Sequence, residues 1–196
     1  MELCLVRHGK SLRSKIGIWG RRFDADLDPD FLDELDPTRE ALRTLKVGAA
    51  YSSPLARCLQ TAALVLNPAT EVRIVPEFIA YHSGDFENRY EADIRSTHPD
   101  YLTKSYRARF LSPQFNEESI AEQTARIRRG LDRVLASHHP LVVISAHYSV
   151  INVIANVVSG NTDIDSYADG RFDIAEGGFI RIPVEAAELQ STGASR

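Results

Sequence analysis

Leu141-Val142-Val143-Ile144-Ser145-Ala146-His147 is the stretch on which the fold turns. A near-continuous apolar run of strand length is expected of a strand covered on both faces, as in parallel sheets flanked by helices. The longest helical pattern, residues 117–137, precedes it, with Ile120, Ala121, Ala125, Ile127, Leu131 and Val134 at helical spacing. A second helix over 150–158 follows, with Gly160 as its stop. Further out, short apolar runs predict strands over 2–6, 47–51, 72–75 and 179–183. Helices are expected over 37–45 and 54–66. Pro37 after Asp36, and Pro54 after Ser52-Ser53, read as first-turn prolines behind capping residues. Residues 10–36 and 76–90 read as long irregular segments. Residues 91–115 read as mainly helical, broken near Pro99 and Pro113, with apolar positions too scattered for a core layer. The alternation predicts an α/β fold, a three-layer α/β/α sandwich around a mostly parallel sheet. One domain is expected over residues 1–185, with 91–115 as a helical insertion near the site. A small, polar tail over 186–196 has the composition of a disordered end.

Bulk properties bound the function. The 196 residues are enough for a domain with a real core, and 43% hydrophobic with 26% charged residues is ordinary for a soluble protein. No apolar stretch reaches membrane-spanning length, and the N-terminus lacks the pattern of a signal peptide, so a cytoplasmic location is expected. The net charge of −4 argues against general nucleic-acid binding while leaving room for a local basic pocket. Two cysteines, Cys4 and Cys58, make neither a disulfide framework nor a metal-ligand spacing, and both read as small core residues.

In parallel sheets, ligands bind at the C-terminal ends of the strands. Arg7 and His8 fall there after the first strand, Ser53 and Arg57 after the second, and His147 after the fourth. Two arginines and two histidines suit the holding of a phosphoryl group. Arginine offers a planar fork of donors that stays charged, and phosphoryl transfer is mostly positioning plus electrostatics. A neutral imidazole can attack phosphorus and carry a covalent intermediate.

Those residues also carry a family resemblance. Leu5-Val6-Arg7-His8-Gly9 resembles the Arg-His-Gly signature of the histidine phosphatase, or phosphoglycerate mutase-like, superfamily. Ser52 to Ala62, with Arg57, resembles its second block; Glu118-Ser119, with Arg126 downstream, resembles its Gly-Glu-Ser helix start; and Val143 to His147 resembles the strand bearing the second active-site histidine. The resemblance runs from about residue 2 to about 160. It implies His8 as the nucleophile, with Arg7, Arg57 and His147 completing the phosphate pocket. It implies no metal and no organic cofactor. The expected activity is hydrolysis of a phosphomonoester or similar group through phospho-His8, on a small phosphorylated metabolite; a phosphoprotein is a further candidate substrate. The alternatives are a mutase, a phosphohistidine protein phosphatase and a non-catalytic phosphate binder.

The chain departs from the family pattern where the general acid belongs. The glutamate expected after the third strand aligns with Ala80, in a register set by Gly84-Asp85 and Glu87. The Asp that another branch places after the second histidine is Tyr148 here. His82 is the expected substitute acid, because imidazole titrates near neutral pH, with Asp85 and Glu87 as further candidates. Lys10, Arg13, Lys15, Arg21 and Arg22, together with Arg95, Lys104, Arg107 and Arg109, supply cations that could read a second anionic group; a solvated face is the plainer reading of any one of them. Trp19 reads as structural, and Gly9 as the residue that lets the chain turn beside the nucleophile.

Overall fold

The computed structural model describes residues 1–184; the tail expected over 186–196 lies outside the described residues. Five strands form one sheet: β1 (Glu2–Arg7), β2 (Ala49–Ser52), β3 (Val72–Ile74), β4 (Leu141–Ala146) and β5 (Phe179–Pro183). Their order is β3-β2-β4-β1-β5, parallel throughout except for β5, which runs antiparallel to β1 at the edge. Strands β1 and β4 lie side by side at the centre, and each sends alternate residues to opposite faces. Leu3, Leu5, Val142, Ile144 and Ala146 join the core under α7 (Ile120–Leu135) and α8 (Tyr148–Val158). Cys4, Val6, Leu141 and Val143 join the core under α2 (Asp36–Arg43) and α3 (Ala56–Val65). Both faces of β4 are therefore buried along its whole length, as the apolar run requires.

Local chemistry fixes the helix ends. Ser119 caps α7 in a reciprocal pair with Glu122: its hydroxyl accepts from the Glu122 amide, while the Glu122 carboxylate accepts from the Ser119 amide. The expected serine cap at 52–53 does not form. Helix α3 starts at Ala56 behind Leu55; the Ser53 hydroxyl lies 2.8 Å from His147 Nε2 and accepts from the Leu55 amide at 3.4 Å. Helix α8 begins earlier than residue 150, at Tyr148, which leaves His147 at its N-cap.

Segment 91–115 folds as three short helices, α4 (Glu91–Thr97), α5 (Pro99–Thr103) and α6 (Tyr106–Leu111). It buries more than its pattern predicts. Ile94 and Tyr101 pack on Phe86 in a small aromatic cluster with Trp19, Leu102 and Phe115, and Phe110 reaches the main core. The signal was missed because the cluster draws single residues from several short elements rather than a stripe from one helix. Segment 10–36 holds α1 (Arg13–Ile16) and a 3₁₀ turn over Pro29–Leu35. It is pinned by bridges pairing Ser11 with Leu27 and Ile18 with Tyr90. Gly9 has no positive φ, so the expected tight turn is not what places a glycine there; a Cβ would press on the side-chain ends of Leu35 and Leu27 at 3.2 and 3.3 Å. No helix among the described residues is long and apolar enough to cross a membrane. Both cysteines are buried and free.

Candidate active site

The sheet brings three strand ends together. The His8 amide donates to the Ala146 carbonyl (3.0 Å), and the Ser53 amide to the Ser145 carbonyl (2.9 Å), so the segments leaving β1, β2 and β4 are held edge to edge. They open on a cavity of about 510 Å³, within the range of small-molecule sites. Arg7, His8, Arg57 and His147 all line it, so the four residues expected to form the phosphate pocket do converge.

The hydrogen bonds set the state of each imidazole. His8 Nδ1 lies 2.7 Å from the Gly9 carbonyl, which can only accept, so Nδ1 carries the proton. Nε2 is then a bare lone pair, 3.4 Å from the Arg57 Nε–H that faces it. Burial and the Arg57 charge push the His8 pKa down to about 3, with Arg7 and Arg13 adding to the effect against the Gly9 bond. His8 is thus neutral, and its free nitrogen nucleophilic, across the physiological range. His147 lies edge-on to it, ring centres 5.1 Å apart. Its Nδ1 faces an Arg57 N–H at 3.4 Å and its Nε2 faces Ser53 Oγ at 2.8 Å. Burial first, then His8 and Arg57, hold it well below the ordinary histidine value. Cys58 Sγ lies 3.5 Å from His147 Nε2, and burial pushes that thiol up to about 12, so it stays protonated.

Arg57 is 2% exposed and is aimed by two carbonyls, those of Phe23 (2.9 Å) and Arg21 (2.7 Å). It ties segment 10–36 to α3 and lays its guanidinium between the two histidines. Arg7 donates to the Ile174 carbonyl (2.7 Å) and lies over the Tyr148 ring; its Nε is buried without a hydrogen-bond partner among the described residues.

His82 does not line the cavity: its Nδ1 accepts from the Gly84 amide at 3.0 Å, which locks the ring into its own turn. Asp85 and Glu87 are likewise engaged, Asp85 by Asn116 and Glu87 by the amides of Ser83 and Arg22, and neither lines the cavity. Ala80 does line it. Among the described residues, the one carboxylate in the cavity wall is Glu176, 3.6 Å from Arg7. The sequence did carry a signal for it. Because β5 runs antiparallel, the segment entering it lies at the same end as the segments leaving the parallel strands. Glu176-Gly177-Gly178 is that segment, and the Gly177 amide bonds the Arg7 and His8 carbonyls at 3.1 Å. Trp19, read as structural, also lines the cavity.

Residues 3–186 match the profile of the histidine phosphatase superfamily, branch 1. The chain is 30% identical, over 81% of its length and 79% of the other's, to a Hydrogenobacter thermophilus protein named "Putative phosphoserine phosphatase 2". Its fold is similar to that of the alpha-ribazole phosphatase from Shigella flexneri (TM-score 0.79, 22% identity, 95% and 92% of the two chains covered). It is also similar to a mycobacterial glucosyl-3-phosphoglycerate phosphatase (TM-score 0.77, 19% identity, 92% and 88% covered). On the match across nearly its whole length, this chain belongs to the histidine phosphatase superfamily, branch 1.

Proposed function

We propose that the protein is a phosphatase that hydrolyses a small phosphomonoester through a phosphohistidine on His8. The observation that carries this reading is the His8 tautomer: the Nδ1 proton is committed to the Gly9 carbonyl, which leaves the Nε2 lone pair, met by the Arg57 Nε–H, as the nucleophilic nitrogen of a residue lining a cavity with Arg7, Arg57 and His147. The phosphoryl oxygens take the guanidinium donors of Arg7 and Arg57, which also offset charge that builds up at phosphorus. Bound dianion favours protonation of His147, which can then donate to a phosphoryl oxygen.

In the first step Nε2 attacks phosphorus, the ester P–O bond breaks, and the leaving oxygen takes a proton from Glu176. In the second step water attacks phosphorus, the P–N bond breaks and its electron pair returns to Nε2, and the Glu176 carboxylate accepts the water proton. Glu176 thus takes the part that the sequence assigned to His82. The test is turnover of p-nitrophenyl phosphate and alkyl phosphates by wild type and His8→Ala. Loss of turnover in a variant that still melts cooperatively supports the reading; turnover that survives rejects it.

A further inference from the structure

The tautomer of His8 depends on a glycine carbonyl. Nδ1 keeps its proton because the Gly9 carbonyl stands 2.7 Å away. If that carbonyl swung aside, neither ring nitrogen would be preferred. In the other tautomer Nε2 carries the proton and has no lone pair to offer phosphorus. Glycine lacks the Cβ that confines other residues, so the direction of its carbonyl is set by what holds the backbone on either side.

That backbone is anchored at each polar group nearby. The His8 carbonyl accepts from the Gly177 amide at 3.1 Å, and beyond Gly9 the Lys10 carbonyl accepts from the Asp28 amide at 2.9 Å. The Gly9 amide donates to Thr61 Oγ at 3.0 Å. Of these anchors, Thr61 is the one that a side chain supplies. It is fully buried on α3, one turn beyond Arg57. Its hydroxyl proton goes to the Arg57 carbonyl at 2.7 Å, so the oxygen presents a lone pair to Gly9 in a fixed direction. A β-branched side chain in a helix has little rotamer freedom, which holds that direction further. One hydroxyl therefore ties the peptide behind the nucleophile to the helix whose guanidinium meets His8 Nε2. An amide buried this deeply loses its only protein acceptor among the described residues if the hydroxyl is removed, and an unpaired buried donor moves to find another.

We propose that Thr61 is a positioning residue for the nucleophile: its hydroxyl holds the His8–Gly9 peptide so that the Gly9 carbonyl keeps the proton on His8 Nδ1 and leaves Nε2 free for phosphorus. This rests on the phosphatase reading for the use made of Nε2. The tautomer is a property of the resting protein and is read without turnover.

The experiment compares wild type with Thr61→Val, Thr61→Ala and Thr61→Ser. The ¹⁵N shifts of the His8 ring, assigned by their absence from His8→Asn, give the tautomer ratio at neutral pH. Steady-state kinetics give kcat/KM for p-nitrophenyl phosphate, and calorimetry gives the affinity for inorganic phosphate. Wild type should show the Nδ1–H tautomer. Thr61→Val keeps the shape and removes the hydroxyl; it should show a mixture of tautomers and lose roughly 10- to 100-fold in kcat/KM, the cost of a misaligned reacting group. Its phosphate affinity should stay within about threefold of wild type, because Arg7 and Arg57 keep their charges. Thr61→Ala should behave like Thr61→Val, and takes its place if the valine does not fold. Thr61→Ser keeps the hydroxyl and should retain the wild-type tautomer and most of the rate. A mixture of tautomers in wild type, or an unchanged ratio in Thr61→Val and Thr61→Ala, would overturn the proposal. So would a Thr61→Ser variant that falls as far as Thr61→Val, or a loss of phosphate affinity as large as the loss of rate, since packing alone would do that. A tautomer shift in Thr61→Val, with no turnover of any phosphomonoester by wild type, would keep the hold of Thr61 on the ring and reject the phosphatase reading.

Discussion

Replacing Glu176 by glutamine should separate leaving groups by their need for a proton. The substitution keeps shape and removes only the titratable group. Its ion pair with Arg7 is 3.6 Å long, with the two side chains 34% and 23% exposed. A pair of that kind is worth at most about 1 kcal/mol, so the variant should melt within a few degrees of wild type. A large change in rate is then not a folding effect. General acid catalysis contributes about 10²–10⁴-fold, or roughly 3–5 kcal/mol of barrier. For an alkyl phosphate, whose alkoxide leaves poorly, Glu176→Gln should lower kcat/KM by that factor. For p-nitrophenyl phosphate, whose phenolate leaves unaided, the loss should stay under about tenfold. Placing a carboxyl at another point of the cavity lining, as Ala80→Glu in the Glu176→Gln background, should restore part of the alkyl phosphate rate. Equal losses on both leaving groups, or none on either, would refute the assignment of Glu176 as the acid.

Three further outcomes follow from the geometry. Arg57→Met removes the guanidinium between the two histidines. It should lower kcat/KM by about 10²–10³-fold, the cost of one preorganised donor, and raise the His8 pKa above 3, because Arg57 is the strongest charge lowering it; steady-state kinetics and imidazole NMR titration check the two halves. His8 has a folded pKa of about 3 against an ordinary 6.5. The unfolded chain therefore binds a proton that the native state refuses between those values, and stability should fall as pH drops from about 6.5 towards 3, with no His8 contribution above that window. Urea unfolding across pH should show a shallower acid slope in His8→Gln, by up to about 1.4 kcal/mol per pH unit. Gly84 has φ +55° and a Cβ position that would collide with the Phe115 carbonyl, so Gly84→Ala should destabilise the fold by more than about 1 kcal/mol, read from its thermal midpoint.

Much of this site was legible because each main piece is attached to a regular element. The apolar runs at Leu3–Val6 and Leu141–Ala146 place β1 and β4, and a parallel pair puts Arg7-His8 and His147 at one end. Arg57 follows because α3 starts two residues beyond Ser53-Pro54 on the neighbouring strand. What escaped is what depends on tertiary contacts between irregular segments. His82 is close in sequence to the missing acid, but the Gly84 amide holds its Nδ1, and no spacing rule records such a bond. Glu176 lies nearly 170 residues from His8 and reaches the same cavity wall only because β5 runs back along β1. The cavity-lining Arg13, Arg21 and Arg109 come from two irregular or short-helical segments, and their sequence neighbours Lys15, Arg22 and Arg107 look no different until their acidic partners are seen. The aromatic cluster of Phe86, Tyr101 and Phe115 that holds those segments together has no periodicity to betray it.

The central claim is that His8 carries the phosphoryl group. Rapid quenching of the enzyme with a ³²P-labelled phosphomonoester, followed by peptide mapping, measures it directly. The account predicts label that is stable in base, labile in acid, located on the peptide containing His8, and absent from His8→Asn. Label on another residue, or single-turnover release of phosphate with no labelled protein at any time, would contradict it.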